Sequence, residues 1–484
     1  MEYVGIALLG VLGVLLLLLA VAVVRTLTLP HKTAGYQMSQ DEARKALYAE
    51  KLSKMVQVET VSVKGKSEPE KFRKMHDRME ELFPTVFSTC EKIEIDGNLM
   101  MKWKGKTDKE PLLLMSHIDV VEATGEWKHP PFSGDIADGK VWGRGAADTK
   151  GSVMCFYQAA EELIQAGYVP ECDVYLSSSC TEEVGGDGAP KLVNWLKAHG
   201  VHLYMLCDEG GAIVQDPIGG VKGNFAAIGL FEKGHGNVRF IARSNGGHSS
   251  APGKNTPIPR LAKFVSRVEK KTPFKVEFSP AVEGMFAQLA PYAQNFGLRL
   301  VMHNLWLFKP ILKKVMPAIS PQAAAMLQTT IAFTMQSGSA GFNVLPQEAS
   351  VVGNLRYIPH QGMEESVAVI SALAKEYGLE AEDLGGNGPS KELDLEGEAY
   401  KLFSKTVASV FPEVGIMPYV VIGGTDARFY GDVCDNCIRF APLCFGPEQM
   451  AGMHGLNECV EIGCLPGGVD CYKAIIKAQE ERNA

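Results

Sequence analysis

Four short segments of this chain end in residues that bind metals. The apolar run Pro111–Met115 leads into Ser116-His117-Ile118-Asp119. Cys172–Ser179 leads into Thr181-Glu182-Glu183-Val184-Gly185-Gly186, and Leu203–Cys207 into Asp208-Glu209-Gly210-Gly211. Asp148 closes Gly143-Arg144-Gly145-Ala146-Ala147-Asp148, just before a helical stretch. Zn²⁺ takes imidazole nitrogen and carboxylate oxygen, and a catalytic site keeps one position open for water. One histidine with four acidic residues exceeds the needs of a single ion. It suits two ions sharing a carboxylate, roughly 3.5–4 Å apart. Asp119 stands two residues beyond His117, on the same side if the strand continues, and suits a partner that fixes the imidazole tautomer. Other chemistries lack their residues. There is no HExxH, no P-loop and no GxSxG, and the dinucleotide pattern begun by Gly143 and Gly145 fails at Asp148.

These residues need a scaffold that brings strand ends together. Short apolar runs alternate with helical stretches, such as the one from about 150 to 165. The alternation predicts an α/β sheet with helices on both faces, where ligands gather at the carboxyl ends of strands. Ser39 with Glu42 reads as a capping box opening a helix through about Val56. Near residue 236 the pattern changes. Strands are expected at Asn237–Arg243 and Ala349–Tyr357, separated by a long stretch at about 258–332 rich in Pro, Phe, Met and Leu. The simplest organisation is a catalytic domain in two chain segments, 39–235 and 357–484, interrupted by an inserted α+β domain at 236–356.

The first residues stand apart. Val4–Val24 carries no charge, and at about 1.5 Å per residue it spans a bilayer core of about 30 Å as a helix. Ala20-Val21-Ala22 resembles a signal cleavage site, but no Lys or Arg precedes the run and the run exceeds a normal signal core. A retained single-pass anchor at 1–25, followed by a linker at 26–38, is the expectation. Arg25, His31 and Lys32 follow the run, which favours a cytoplasmic catalytic domain. Eleven cysteines, an odd number without a disulfide-like spacing, lean the same way. A net charge of −8 argues against nucleic acid as a partner.

Together with Met453-His454-Gly455-Leu456-Asn457-Glu458, these motifs resemble the dizinc peptidase family of aminoacylase, succinyl-diaminopimelate desuccinylase and carboxypeptidase S, over about residues 40–480. The resemblance implies that His117 and Asp208 hold one Zn²⁺, that Glu183 and His454 hold the other, and that Asp148 bridges them. It implies Glu182 as general base and Asp119 as the support of His117. Co²⁺ or Mn²⁺ are alternative ions, since the same ligands bind several divalent metals. The insert resembles the family's lid and dimerisation domain. Its His248, in Gly246-Gly247-His248-Ser249-Ser250, resembles an oxyanion-stabilising histidine that often reaches across a homodimer. Asn343 and Arg356 resemble substrate-contacting lid residues, and Gly424 and Thr425 a loop that receives a free carboxylate. The anchor and the long insertion resemble the carboxypeptidase S branch and related N-acyl amino acid hydrolases. The implied function is a carboxypeptidase-like amide hydrolase acting on small peptides or N-acyl amino acids. The alternatives are an N-fatty-acyl amino acid amidohydrolase/synthase and, outside enzymes, a metal-free binding protein. The insertion could shape an acyl pocket, extend a dimer interface or simply pack a core.

Overall fold

A computed structural model describes residues 2–482; Met1, Asn483 and Ala484, at the outer ends of the expected anchor and catalytic segments, lie outside it. The strand Leu112–His117 runs parallel to both Val174–Ser179 and Met205–Asp208, with His117 opposite Ser179. The three apolar runs therefore end at one level, at the centre of a ten-stranded sheet. Side chains alternate across it as the strand period requires. Leu112, Leu114, Val174, Leu176, Met205 and Cys207 enter one core, whereas Leu113, Met115, Tyr175 and Leu206 enter the other. Helices Glu42–Val56, Gly151–Gln165 and Leu465–Ala478 cover the first face, and Gly188–Ala198 with the turn Asp426–Asp432 covers the second. The expected doubly covered α/β domain is what the chain adopts.

Two boundaries differ from expectation. The first long helix of the domain begins at Glu42 with Asp41 as its cap, accepting the Arg44 N–H at 3.1 Å; Ser39 instead accepts the Asp41 N–H at 3.2 Å. The inserted domain also extends past 356. Its four-stranded sheet runs in the order Thr330–Ser337, Glu348–Tyr357, Gly234–Arg243, Glu380–Asn387, so the segment 357–387 belongs to the lid. Helices Pro257–Lys270 and Met363–Glu376 pack on this sheet.

The helices Pro280–Leu289, Phe296–His303, Leu305–Ile319 and Pro321–Leu327, by contrast, leave the lid. Met285, Leu289, Met302, Leu305 and Leu327 join the core of the central sheet. The helix Glu2–Thr28 stands clear of the body over most of its length, and its segment Ile6–Thr28 is long and apolar enough to cross a membrane. Only its C-terminal end is docked. Ala22 and Thr26 are buried, and the Asn304 Nδ2 donates to the Ala22 carbonyl oxygen at 3.2 Å and to the Thr26 hydroxyl at 3.0 Å.

Candidate metal centre

Two triads of donor atoms meet at the carboxyl ends of the central strands. His117, Asp148 and Glu209 form one, and Asp148, Glu183 and His454 the other. Asp148 belongs to both. Its Oδ1 lies 3.1 Å from His117 Nε2 and its Oδ2 lies 3.1 Å from His454 Nε2. Glu209 Oε1 is 3.3 Å from His117 Nε2, and Glu183 Oε2 is 3.0 Å from His454 Nε2. Four of the five expected ligands thus converge.

Asp208 does not. On the strand Met205–Asp208 it shares its side of the sheet with Leu206, facing the second core. There its Oδ2 accepts the Ala427 N–H at 2.8 Å. Glu209, the first residue past the strand end, turns toward His117 in its place.

Each donor is held by its surroundings. His117 Nδ1 donates to the backbone carbonyl oxygen of Asp119 at 2.9 Å, which leaves Nε2 facing the site. The expected support by Asp119 is therefore made chiefly through its main chain. The Asp119 carboxylate, 3.5 Å from the same Nδ1, serves the neighbouring loop instead: it accepts the N–H groups of Glu182 at 3.2 Å and Glu183 at 3.1 Å.

Glu458, fully buried, accepts the N–H groups of Ala147 and Asp148 at 2.9 and 3.0 Å and pairs with Arg144 at 2.6 Å. Arg144 in turn donates to the Gly455 carbonyl oxygen at 2.7 Å. One buried ion pair thus fixes the loops of both Asp148 and His454. His454 adopts a φ of 54°, a left-handed conformation that costs a non-glycine residue about 1–3 kcal/mol. Arg144 and Glu458 lie inside motifs that had been singled out, but nothing local in sequence marks two residues so far apart as a pair.

The charges reflect crowding. Burial pushes Glu182 up to about 10 and Glu209 up to about 7. Hydrogen bonds that His454 donates to Asp148 and Glu183 raise it to about 10. Burial works against ionised Asp148, yet His117 and His454 hold it below the usual carboxylate range. Such a site retains protons where cations belong. Glu183 Oε1 is buried without a hydrogen-bond partner, as befits an atom reserved for a metal.

Around the triads the other expected residues divide. Arg428 places its Nη1 3.5 Å from Glu182. Arg356 lies close enough that Arg428, after burial, lowers its pKa. Arg428 lies three residues beyond Thr425 and carries no expectation from the sequence. The buried Glu232 accepts the Thr425 N–H and pairs with Arg439 at 2.8 Å, which fixes the Gly424–Thr425 loop. His248 and Asn343 are not gathered here. They sit on paired, exposed lid strands and loops, where His248 Nδ1 contacts the Ser250 hydroxyl at 2.8 Å and the Asn343 carbonyl oxygen accepts the Ser249 N–H at 3.0 Å.

A cavity of about 460 Å³ opens from Asp148 and Glu209. Its walls are mainly apolar, including Met285, Met326, Met417, Tyr419, Phe445 and Met450.

Residues 113–478 match Peptidase family M20/M25/M40. The chain is 34% identical over 435 residues to the human N-fatty-acyl-amino acid synthase/hydrolase PM20D1, covering 88% of this chain and 86% of that protein. It is 28% identical to carboxypeptidase S of Saccharomyces cerevisiae over 492 residues, covering 89% and 84%. Among solved structures, the M20 family metallo-carboxypeptidase Sso-CP2 from Sulfolobus solfataricus has the same fold, with a TM-score of 0.64 at 17% identity over 90% of this chain and 99% of that one.

Proposed function

This chain belongs to peptidase family M20/M25/M40 and is a metal-dependent hydrolase, and on that premise we propose that it hydrolyses N-acyl amino acids whose acyl chain lies in the cavity beside the metal centre. The cavity carries the reading. Its methionine- and aromatic-lined walls begin at the metal-facing carboxylates and reward a hydrocarbon by about 0.8 kcal/mol per methylene. A polar peptide gains nothing comparable there.

His117 with Glu209, and His454 with Glu183, would each hold one cation, with Asp148 contributing to both groups. The nitrogen and oxygen donors and the unpartnered Glu183 oxygen fit two Zn²⁺ ions, with Co²⁺ or Mn²⁺ as alternatives. When bound, such ions supply an acidified water and polarise the scissile carbonyl. The chain does the rest. Glu182 takes the water's proton and returns it to the leaving amine. Burial favours its protonated form in the metal-free chain, and the positive charge of bound cations would offset that and free it to accept the proton. Asp119 positions Glu182 and Glu183 through their N–H groups. Arg356, Arg428 and the Gly424–Thr425 loop receive the substrate carboxylate. His248 of the partner subunit in a homodimer stabilises the oxyanion.

The apolar helix is read as a retained anchor, a reading supported by the bonds of its final turns to Asn304. The body lies on the cytoplasmic side, a reading supported by Arg25, His31 and Lys32 and by cysteines that are all free. Protease protection in sealed vesicles tests that orientation.

The deciding experiment compares one amino acid acylated with chains of increasing length against a dipeptide panel. We expect kcat/KM to climb about fourfold per methylene until the cavity is filled, and Glu182→Gln to keep both metals while losing about a thousandfold in kcat. Faster cleavage of dipeptides than of any acyl substrate overturns the acyl reading in favour of a carboxypeptidase.

A further inference from the structure

The helix Leu305–Ile319 is apolar on the side that should face water. Leu312 and Met316 pack inward against the main core. On the opposite side Trp306, Ile311, Val315 and Ile319 are exposed, with Ile311 at 61% and Ile319 at 74% of full exposure. Pro310 and Ala318 extend the same stripe. Ile311, Val315 and Ile319 follow one another at four-residue spacing and form a row about 12 Å long, with the exposed Lys314 beside it and Trp306 at the start of the helix. A stripe of this kind in a soluble body marks a surface that is covered.

Both ends of the helix say what covers it. At its start, Asn304 is bonded to Ala22 and Thr26, the last turns of the apolar helix Ile6–Thr28. Trp306 follows, its indole N–H donating to the Asn304 side chain at 3.3 Å. Tryptophan is the residue of the membrane–water boundary, and this one is tied to the level at which the anchor leaves the bilayer. At the other end, Ile319 passes through Ser320 and Pro321 to Gln322, which lines the cavity beside the metal centre together with Met326. Two of the helix's three lysines are ion-paired on its flank, Lys309 with Glu283 and Lys313 with Glu277, while Lys314 is exposed. Exposed apolar residues beside a lysine, on a helix joined to the apolar anchor, are the arrangement of one lying in a bilayer interface.

We propose that this helix rests on the bilayer that holds the anchor and conducts acyl chains from the membrane along its exposed stripe into the cavity. The proposal rests on the anchor and acyl-substrate readings, and it adds the route. An N-acyl amino acid with a long chain partitions into the bilayer with its carboxylate at the surface. It then needs only lateral transfer along the stripe, not desolvation of the whole chain into water.

The test uses full-length protein reconstituted into phosphatidylcholine vesicles with acyl chains brominated at shallow or deep positions. Flotation with the vesicles checks the anchor. Trp306 fluorescence, taken as wild type minus Trp306→Phe, is expected to be quenched more strongly by shallow than by deep bromines. Ile311→Glu/Ile319→Glu is expected to lower kcat/KM at least tenfold for an N-oleoyl amino acid in the bilayer, through KM, and to leave the N-butanoyl form in solution within twofold. Protein that floats with an unquenched Trp306 overturns the docking and leaves the anchor standing, as when a second copy covers the stripe. Protein that does not float removes both. An equal effect on the two substrates, or none on either, overturns the conduction. If wild type cleaves neither substrate, the acyl reading and the conduction fail together, and quenching alone decides the docking. If the double variant does not fold, Val315→Glu replaces it.

Discussion

Glu209 and Asp208 are adjacent acids, but Asp208 ends its strand bonded to the Ala427 N–H, whereas Glu209, the first residue beyond, lies beside His117. Glu209→Gln is expected to lower the metal bound per chain from two toward one after dialysis, because the His117 triad loses a charged oxygen. Asp208→Asn is expected to keep both ions, since its partner is the Ala427 N–H and an amide oxygen accepts that bond as well. Metal analysis of the two variants checks this; the reverse order returns Asp208 to the site. The wild-type site also has a pH signature. Burial pushes Glu209 up to about 7, so the metal-free chain carries a proton there below that pH, and a cation must displace it. Affinity should rise with pH through this range, with proton release measurable by calorimetry in buffers of different ionisation heat. His117, Asp148 and Glu183 were legible in sequence because each follows an apolar strand or precedes a helix within a glycine-flanked turn. The choice of Asp208 over Glu209 came from the resemblance. Counting alternation puts Asp208 on the same side as His117, so strand phase alone also favours Asp208, and the turn that brings Glu209 to His117 is not recorded in the strand pattern. His454 had no such local mark and rested on the resemblance alone.

At the scale of elements, the ligand loops depend on close backbone approach. A Cβ on Gly211 would lie 2.2 Å from the Ala227 carbonyl oxygen and 2.4 Å from that of Arg439. Both belong to the sheet, so neither can give way. Gly211→Ala should destabilise the protein by on the order of 3 kcal/mol, read as a lower denaturation midpoint. Gly253→Ala, where a Cβ meets nothing within 4 Å, should be neutral. Equal midpoints for the two would mean that the turn after Glu209 is looser than its geometry. The same contrast explains which elements could be read in advance. The central strands are continuous apolar runs because both their faces are buried. The lid strand Glu380–Asn387 is an edge strand, almost wholly exposed, with the sequence Glu-Ala-Glu-Asp-Leu-Gly-Gly-Asn. It owes its place to backbone pairing with Gly234–Arg243, which side-chain pattern does not record, and so the lid boundary was drawn about thirty residues early. The helices between 280 and 327 were visible as helical stretches, but the body against which they pack is a tertiary choice.

At the scale of the whole molecule, the proposed dimer makes a quantitative demand. Each site has its proposed base, Glu182, and both donor triads on one chain, whereas the inserted domain carrying His248 presents that residue to solvent. Phe342 is fully exposed beside Asn343 on the same lid edge, an apolar side chain that a second chain would cover. If His248 serves the site of the partner subunit, then Glu182→Gln and His248→Ala damage different sites in a mixed dimer. One site combines both lesions. The other keeps its own Glu182 and receives an intact His248. Random exchange of two inactive homodimers makes about half of all dimers mixed, each with one of two sites whole, so about a quarter of wild-type activity should return. The double variant on one chain, mixed with itself, is the control and should recover nothing. Two inactive parents that stay inactive after verified subunit exchange would mean that each lid serves its own chain, and His248 would then have to reach Glu182 by closure of the lid within one subunit.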